Sequence, residues 1–174
     1  MWFGLRNPNR MYEFPPFFTR QPNEDTWRLQ LKLWQDVVYK WCLANNEWRL
    51  TPSADVFTNK RIDRTLNIDA ATHVLTEMCR KGVAEKLENN ETFLVYKHTP
   101  ADLATELRQW ARETGHETSV LTFYELSEGE LPSLEKFINA DDITLKRVAE
   151  VLERRKEGVA MKEEGECVGI KITL

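Results

Sequence analysis

Glycine, histidine and cysteine are all scarce in this chain, and each shortage excludes a class of function. Seven glycines in 174 residues leave little backbone free to cradle a phosphate. No glycine-rich phosphate loop, nucleophile elbow or HExxH motif occurs. The three histidines, His73, His98 and His116, are scattered and lack Cys, Asp or Glu partners at metal-ligand spacing. These gaps argue against an enzyme, a metal protein or a cofactor carrier. Cys42, Cys79 and Cys167 are odd in number and far apart, which suits reduced cytosolic thiols, each buried filler, better than a disulfide framework. No apolar run approaches the ~20 residues that span a bilayer. The opening MWFGLRNPNR has no continuous apolar core of the secretory kind. A basic surplus is missing too: the net charge of -4 counts against nucleic acid as main partner. No basic amphipathic stripe points to direct lipid contact.

What the chain does have is aromatic surface at one end. Trp2, Phe3, Tyr12, Phe14, Phe17 and Phe18 crowd the first 18 residues, and Pro15-Pro16 interrupt them. Two prolines bias the backbone toward an extended polyproline II arm, preorganised for an apolar groove. Phe17 and Phe18 would then be large anchors, each able to contribute a few kcal/mol (~2–3) on full burial. The alternative is an arm packed on the chain's own first helix. From the residues alone the two readings stand level.

Beyond the arm the sequence repeats. Trp27, Leu31, Trp34, Val38 and Trp41 fall on one face of a helix entered at Asn23–Asp25 and left at Asn45-Asn46. Trp27, Leu31 and Trp34 recur 76 residues later as Leu103, Leu107 and Trp110, in a helix with Thr99 as cap, Pro100 in its first turn and Gly115 at its end. Gly82-Val83-Ala84 recurs as Gly158-Val159-Ala160 at the same offset. Each unit reads as a long helix, a short strand (48–50; 119–122), a short helical stretch (Asn59–Thr65; Phe123–Glu128), a further helix and a hairpin. The last helix of the second unit is expected to start from Asn139, and Gly82 and Gly158 to take the positive φ that ends a helix. In the first hairpin, Phe93 and Val95 alternate with Leu94 and Tyr96 in a strand-like way. The expected fold is mainly α with small β hairpins (α+β): an extended arm over 1–22, then tandem winged-helix domains over 23–98 and 99–174.

Winged helices commonly bind DNA, which calls for basic third helices. Here the charges from Asn67 to Lys81 cancel, residues 141–157 balance acids against bases, and both wings (Glu88–Glu91 and Glu163–Glu166) are acidic. A tandem winged-helix nucleic-acid binder stays as the alternative to a non-catalytic scaffold.

Phe14-Pro15-Pro16-Phe17-Phe18-Thr19-x-Gln21-Pro22-Asn23, followed by Thr26, Gln30-Leu31 and Trp34, resembles the opening of the small-subunit family of the ESCRT-II complex. Gln109-Trp110 and Thr122-Phe123-Tyr124-Glu125-Leu126-Ser127-Glu128-Gly129 resemble the same family, in order. The resemblance implies an adaptor, cytoplasmic and recruited peripherally to endosomes, for sorting ubiquitinated cargo into multivesicular bodies. Two small subunits per complex would attach to the larger ESCRT-II subunits through the motif at Pro15, Pro16, Phe17 and Phe18, flanked by Tyr12 and Phe14. Family members also carry a basic residue near this contact, matched by Arg80 or Lys81, although a cation there equally complements the helix dipole. The second winged helix would recruit the first ESCRT-III subunit. Leu121, Phe123 and Tyr124 lie in the best-matched stretch, and all three also fit a domain core. On this reading Pro16→Ala with Phe17→Ala abolishes attachment while the isolated protein keeps its thermal stability.

Overall fold

In the computed structural model, which describes residues 8–173, the chain begins with one helical turn, α1 (Pro8–Met11), and a 3-10 turn over Pro15–Phe18. Trp2 and Phe3 lie outside the described residues. The extended polyproline II arm is therefore corrected. Proline's fixed φ suits the opening of a 3-10 turn as well as an extended strand, and its missing N–H is not needed there. Phe17 N–H donates to the Phe14 carbonyl at 2.9 Å, and Thr19 N–H to Pro16 at 3.2 Å, closing the turn.

The chain divides into two units, Met1–Lys97 and His98–Leu174. In the first, α2 (Glu24–Asn45) starts where the Asn23 side chain accepts from Thr26 N–H, and it leaves through Asn46 at φ 51. Its buried face carries Trp27, Gln30, Leu31, Trp34, Val37, Val38 and Cys42, while Trp41 is only half-buried. There follow β1 (Arg49–Leu50), a 3-10 turn (Asp55–Phe57), β2 (Thr58–Asn59), β3 (Arg64–Thr65), α3 (Ile68–Arg80), β4 (Ala84–Lys86) and β5 (Phe93–Val95). An antiparallel sheet runs in the order β1-β5-β4.

One expectation fails here. Asn59–Thr65 is no helix: β2 pairs with β3, the Thr58 and Thr65 hydroxyls lie 3.1 Å apart, and Asp63 turns the chain at φ 52. The β-branched threonines fit a pleated ladder. The strand expected in the first hairpin is present as β5, and Phe93, Leu94, Val95 and Tyr96 are all buried, as befits the middle strand of the sheet.

The second unit contains α4 (Pro100–Thr114), β6 (Val120–Thr122), α5 (Phe123–Ser127), a 3-10 turn (Glu135–Phe137), α6 (Asp142–Arg155), β7 (Gly158–Glu163) and β8 (Glu166–Ile172). Thr99 caps α4, Pro100 is in its first turn, and Gly115 ends it at φ 75. Its sheet runs β6-β8-β7, again antiparallel. α6 starts later than Asn139, because Asp141 takes the cap and accepts from Ile143 N–H at 2.9 Å. Lys156, not Gly158, adopts the left-handed exit, at φ 59. Gly158 instead sits where a Cβ would press on the Lys171 carbonyl oxygen at 3.1 Å and on Leu152 at 3.2 Å. Each unit has its own apolar core beneath its helices. The chain is thus a mixed helix-and-sheet protein.

Candidate functional site

The proline turn is bolted to the first unit by the residues that follow and precede it. Phe17 and Phe18 are buried in that unit's core, at 0% and 3% exposure. Phe17 stacks on Trp34 with ring centroids 4.4 Å apart, and Phe18 meets the same indole edge-on at 5.2 Å. The backbone is held as firmly. Gln30, itself buried, donates from Nε2 to the Phe17 carbonyl at 2.6 Å and to Thr19 at 3.0 Å, and its Oε1 accepts from Gln21 N–H at 3.3 Å. Trp34 Nε1 donates to the Phe17 carbonyl at 3.2 Å.

Tyr12 anchors the other side. Its hydroxyl lies 2.9 Å from the carbonyl oxygens of both Val56 and Thr58, donating to one of the pair. Asn59 Nδ2 donates to the Tyr12 carbonyl at 2.6 Å. Burial, and then the charge of Asp55, raise the Tyr12 hydroxyl above its usual pKa of 10.0. Phe14 is half-buried against the same core, whereas Pro15 and Pro16 are exposed.

Phe17 and Phe18 thus do not stand out as free anchors; they are the inner side of the turn, and the prolines are its outer side. The expectation that Phe17→Ala spares thermal stability is corrected accordingly. Gln30 escaped notice in the sequence, although a polar residue between Trp27 and Trp34 on an apolar face was the available signal.

Arg80 is exposed in the last turn of α3, where its Nε donates to Glu77 at 3.0 Å and leaves the pair open to solvent. In the second unit, the suggested trio separates. Leu121 and Phe123 are core residues at 4% and 7% exposure. Tyr124 is 65% exposed on α5. That helix is fixed by a capping box: Thr122 Oγ1 accepts from Glu125 N–H, and the Glu125 carboxylate accepts from Thr122 N–H at 2.7 Å. The Thr122 N–H first, and then its hydroxyl, which also donates to the carboxylate at 2.7 Å, hold the Glu125 pKa below its usual 4.5. The sequence also missed Val120 and Val159, which flank Lys171 in one cross-strand row and are about half exposed. Single residues of this kind at sheet edges carry no pattern distinct from core strands.

Among the described residues no cluster of His, Cys, Asp and Glu could hold a metal ion. His73 is half-buried and accepts from Trp27 Nε1 at 3.1 Å through Nδ1, a packing role.

A family model described as ESCRT-II complex subunit matches residues 11–141. Vacuolar protein-sorting-associated protein 25 of Xenopus laevis is 34% identical over 159 residues, covering 87% of this chain and 91% of that protein. The crystal structure of subunit VPS25 of the endosomal trafficking complex ESCRT-II superposes with a TM-score of 0.81 at 23% identity, covering 94% of this chain and 97% of that one. A chain of the endosomal complex ESCRT-II (VPS22/VPS25/VPS36) superposes with a TM-score of 0.75 at 24% identity, covering 95% and 97%. On the family match and the identity to its relatives, the chain belongs to the ESCRT-II complex subunit family, that of vacuolar protein-sorting-associated protein 25.

Proposed function

We propose that this chain is a non-catalytic adaptor built of two winged helices, the first docking onto the larger ESCRT-II subunits and the second recruiting the first ESCRT-III subunit. The observation that carries the reading is the exposed Pro15-Pro16 pair on a turn whose backbone is fixed by Gln30, Trp34 and two buried rings. A docking surface held rigid before contact loses little conformational entropy on binding. Prolines 15 and 16, with the outer edge of Phe14 and the nearby face of Tyr12, form the contact; Phe17 and Phe18 set its shape from beneath. Arg80 supplements it through charge. The solved assembly of VPS22, VPS25 and VPS36 supports the larger subunits as partners.

In the second unit Tyr124 is the residue of its trio available to grip an ESCRT-III helix. No described helix is long and apolar enough to cross a membrane, and recruitment to endosomes runs through the complex. The nucleic-acid alternative is not favoured: Arg80 pairs with Glu77, Arg147 with Glu150 and Lys146 with Glu166, which offsets much of the basic charge on the third helices, and both wings are acidic.

The test is pull-down with co-expressed larger subunits. Pro15→Ala with Pro16→Ala should cut retention about tenfold, close to 1.4 kcal/mol of binding, with an unchanged melting temperature. Tyr124→Asp should spare that retention and lose capture of the first ESCRT-III subunit. Full retention by the double proline variant sinks the docking reading.

A further inference from the structure

The side of α4 that faces the end of α6 carries a charged cleft that neither docking surface uses. Ala101, Thr105, Arg108 and Arg112 recur at helical spacing along α4. The last turn of α6 brings Arg155 across to them: its Nη1 donates to Thr105 Oγ1 at 3.0 Å, and its Nη2 lies 3.5 Å from the Ala101 carbonyl oxygen. Arg108 Nη1 pairs with Glu157 at 3.1 Å. Gln109 closes the wall by donating to Glu113 at 2.8 Å. The cleft is open to solvent and has a volume of about 560 Å3.

Two of the three guanidinium groups have donors to spare. Arg108 Nε is buried and meets no acceptor among the described residues. A buried donor left unpaired is unfavourable, and an incoming acceptor would relieve it. Arg112, one turn further on, makes no hydrogen bond or ion pair to any described residue. Complementing the dipole of α4 explains one cation at its end; it does not explain Arg155 reaching over from another helix to stand in the same cleft.

The charge balance selects the ligand. Three arginines face Glu113 and Glu157, a net of one positive charge. A polyphosphorylated headgroup carries far more negative charge than this balance offsets. One or two carboxylates come nearer to balancing that single net charge, and a planar carboxylate matches the guanidinium fork through paired bonds. Arg108 and Arg112 are four residues apart, so their Cβ atoms are about 5–6 Å apart on the helix surface. We propose that this cleft is a second partner site, one that grips an acidic protein segment presenting two carboxylates a helical turn apart. It stands independently of the arm and of Tyr124.

The test uses the full chain, isotope-labelled for NMR, titrated with an alanine-based helical peptide bearing Glu pairs at i,i+4. Amide shifts should concentrate at residues 105–113 and 155–157. They should vanish with the Gln analogue of the peptide. Arg112→Ala should weaken binding about tenfold, and Arg112→Lys, which keeps charge but loses the fork, by less. Arg112 bonds to nothing else described, and unchanged spectra away from the cleft would show that these variants fold. Equal binding of the Gln analogue, unaltered binding by Arg112→Ala, or shifts outside the cleft would each overturn the proposal. So would phosphatidylinositol-phosphate vesicles producing the same cleft shifts when the Glu peptide produces none.

Discussion

The ring of Phe17 lies on the indole of Trp34, their planes 8° from parallel, and the Trp34 Nε1–H donates to the carbonyl of that same Phe17. One side chain of α2 therefore fixes both the ring and the backbone of a residue 17 positions earlier. Phe18 meets Trp34 from another side, and Tyr12 closes on Phe18 with centroids 5.4 Å apart. The aromatic wealth of the N-terminal segment is spent inward, on shaping a proline turn. What faces outward is stiff backbone with no N–H to satisfy, which is cheap to desolvate.

Replacing Phe17 by Ala should destabilise the first unit by about 3–5 kcal/mol, the usual cost of emptying a buried aromatic site. Pro15→Ala and Pro16→Ala, at exposed positions, should each shift stability by no more than about 1 kcal/mol. Denaturant midpoints of the isolated protein separate the two cases. A Phe17→Ala variant as stable as the parent would show that the ring is not part of the core.

Gln30 gives a second, independent handle. Gln30→Ala removes the donor to the Phe17 and Thr19 carbonyls and the acceptor for Gln21 N–H. The Phe17 carbonyl keeps Trp34 Nε1 and the Thr19 carbonyl keeps Gln21 Nε2, so no acceptor is orphaned, and losing the three bonds to Gln30 should cost about 1–3 kcal/mol. The effect should also be local. Amide exchange at Gln21 should accelerate well beyond that in α6, and uniform acceleration across both units would contradict a clamp at this place.

The helices were the legible part of this fold, because their signals are local. The caps at Asn23 and Thr99, Pro100 and the exit at Gly115 are each settled by residues within a turn of one another. The larger errors arose where distant contacts decide, while at α6 the local signals themselves misled, Asp141 and Lys156 taking the places expected of Asn139 and Gly158. Nothing near Asn59 announces that β2 pairs with β3, or that Asn59 reaches back to the Tyr12 carbonyl. Pro15-Pro16 are compatible with two backbone forms, and Trp34, far along the chain, selects the tighter one. Likewise Leu121, Phe123 and Tyr124 are alike in the sequence; only the register of β6 on β8 and the phase of α5 separate core from surface.

Cys42 should behave as a buried thiol through most of the pH range. Burial first, then the charge of Glu47, raise its pKa from 9.0 to about 12. The neutral thiol is thus favoured in the folded state. Its contribution to stability is complete below the unfolded value near 9.0 and is lost as pH climbs toward about 12. Native protein at pH 8 should resist iodoacetamide at Cys42 and react promptly once unfolded. Stability measured between pH 9 and 12 should fall less steeply in Cys42→Ala than in the parent. Rapid native alkylation at this position would contradict the assigned burial.

Gly169 tests the second unit's sheet. It sits opposite Thr122, where β6 crosses β8, and a Cβ built there would lie 2.7 Å from the Leu121 carbonyl oxygen and 3.2 Å from the Thr122 Cα. Both obstacles are backbone, so no rotamer change relieves them. Gly169→Ala must push β6 off β8, straining the pairs on either side and the start of α5, whose cap is Thr122. Overpacking of this kind should cost about 1–3 kcal/mol. Because Tyr124 is carried on the same short helix, the variant should also weaken whatever Tyr124 grips, while attachment through the first unit persists. Val168→Ala, one residue away at a partly exposed position, is the control. Equal stability of the two variants would mean that β6 does not approach β8 as closely as the pairing of Thr122 with Gly169 requires.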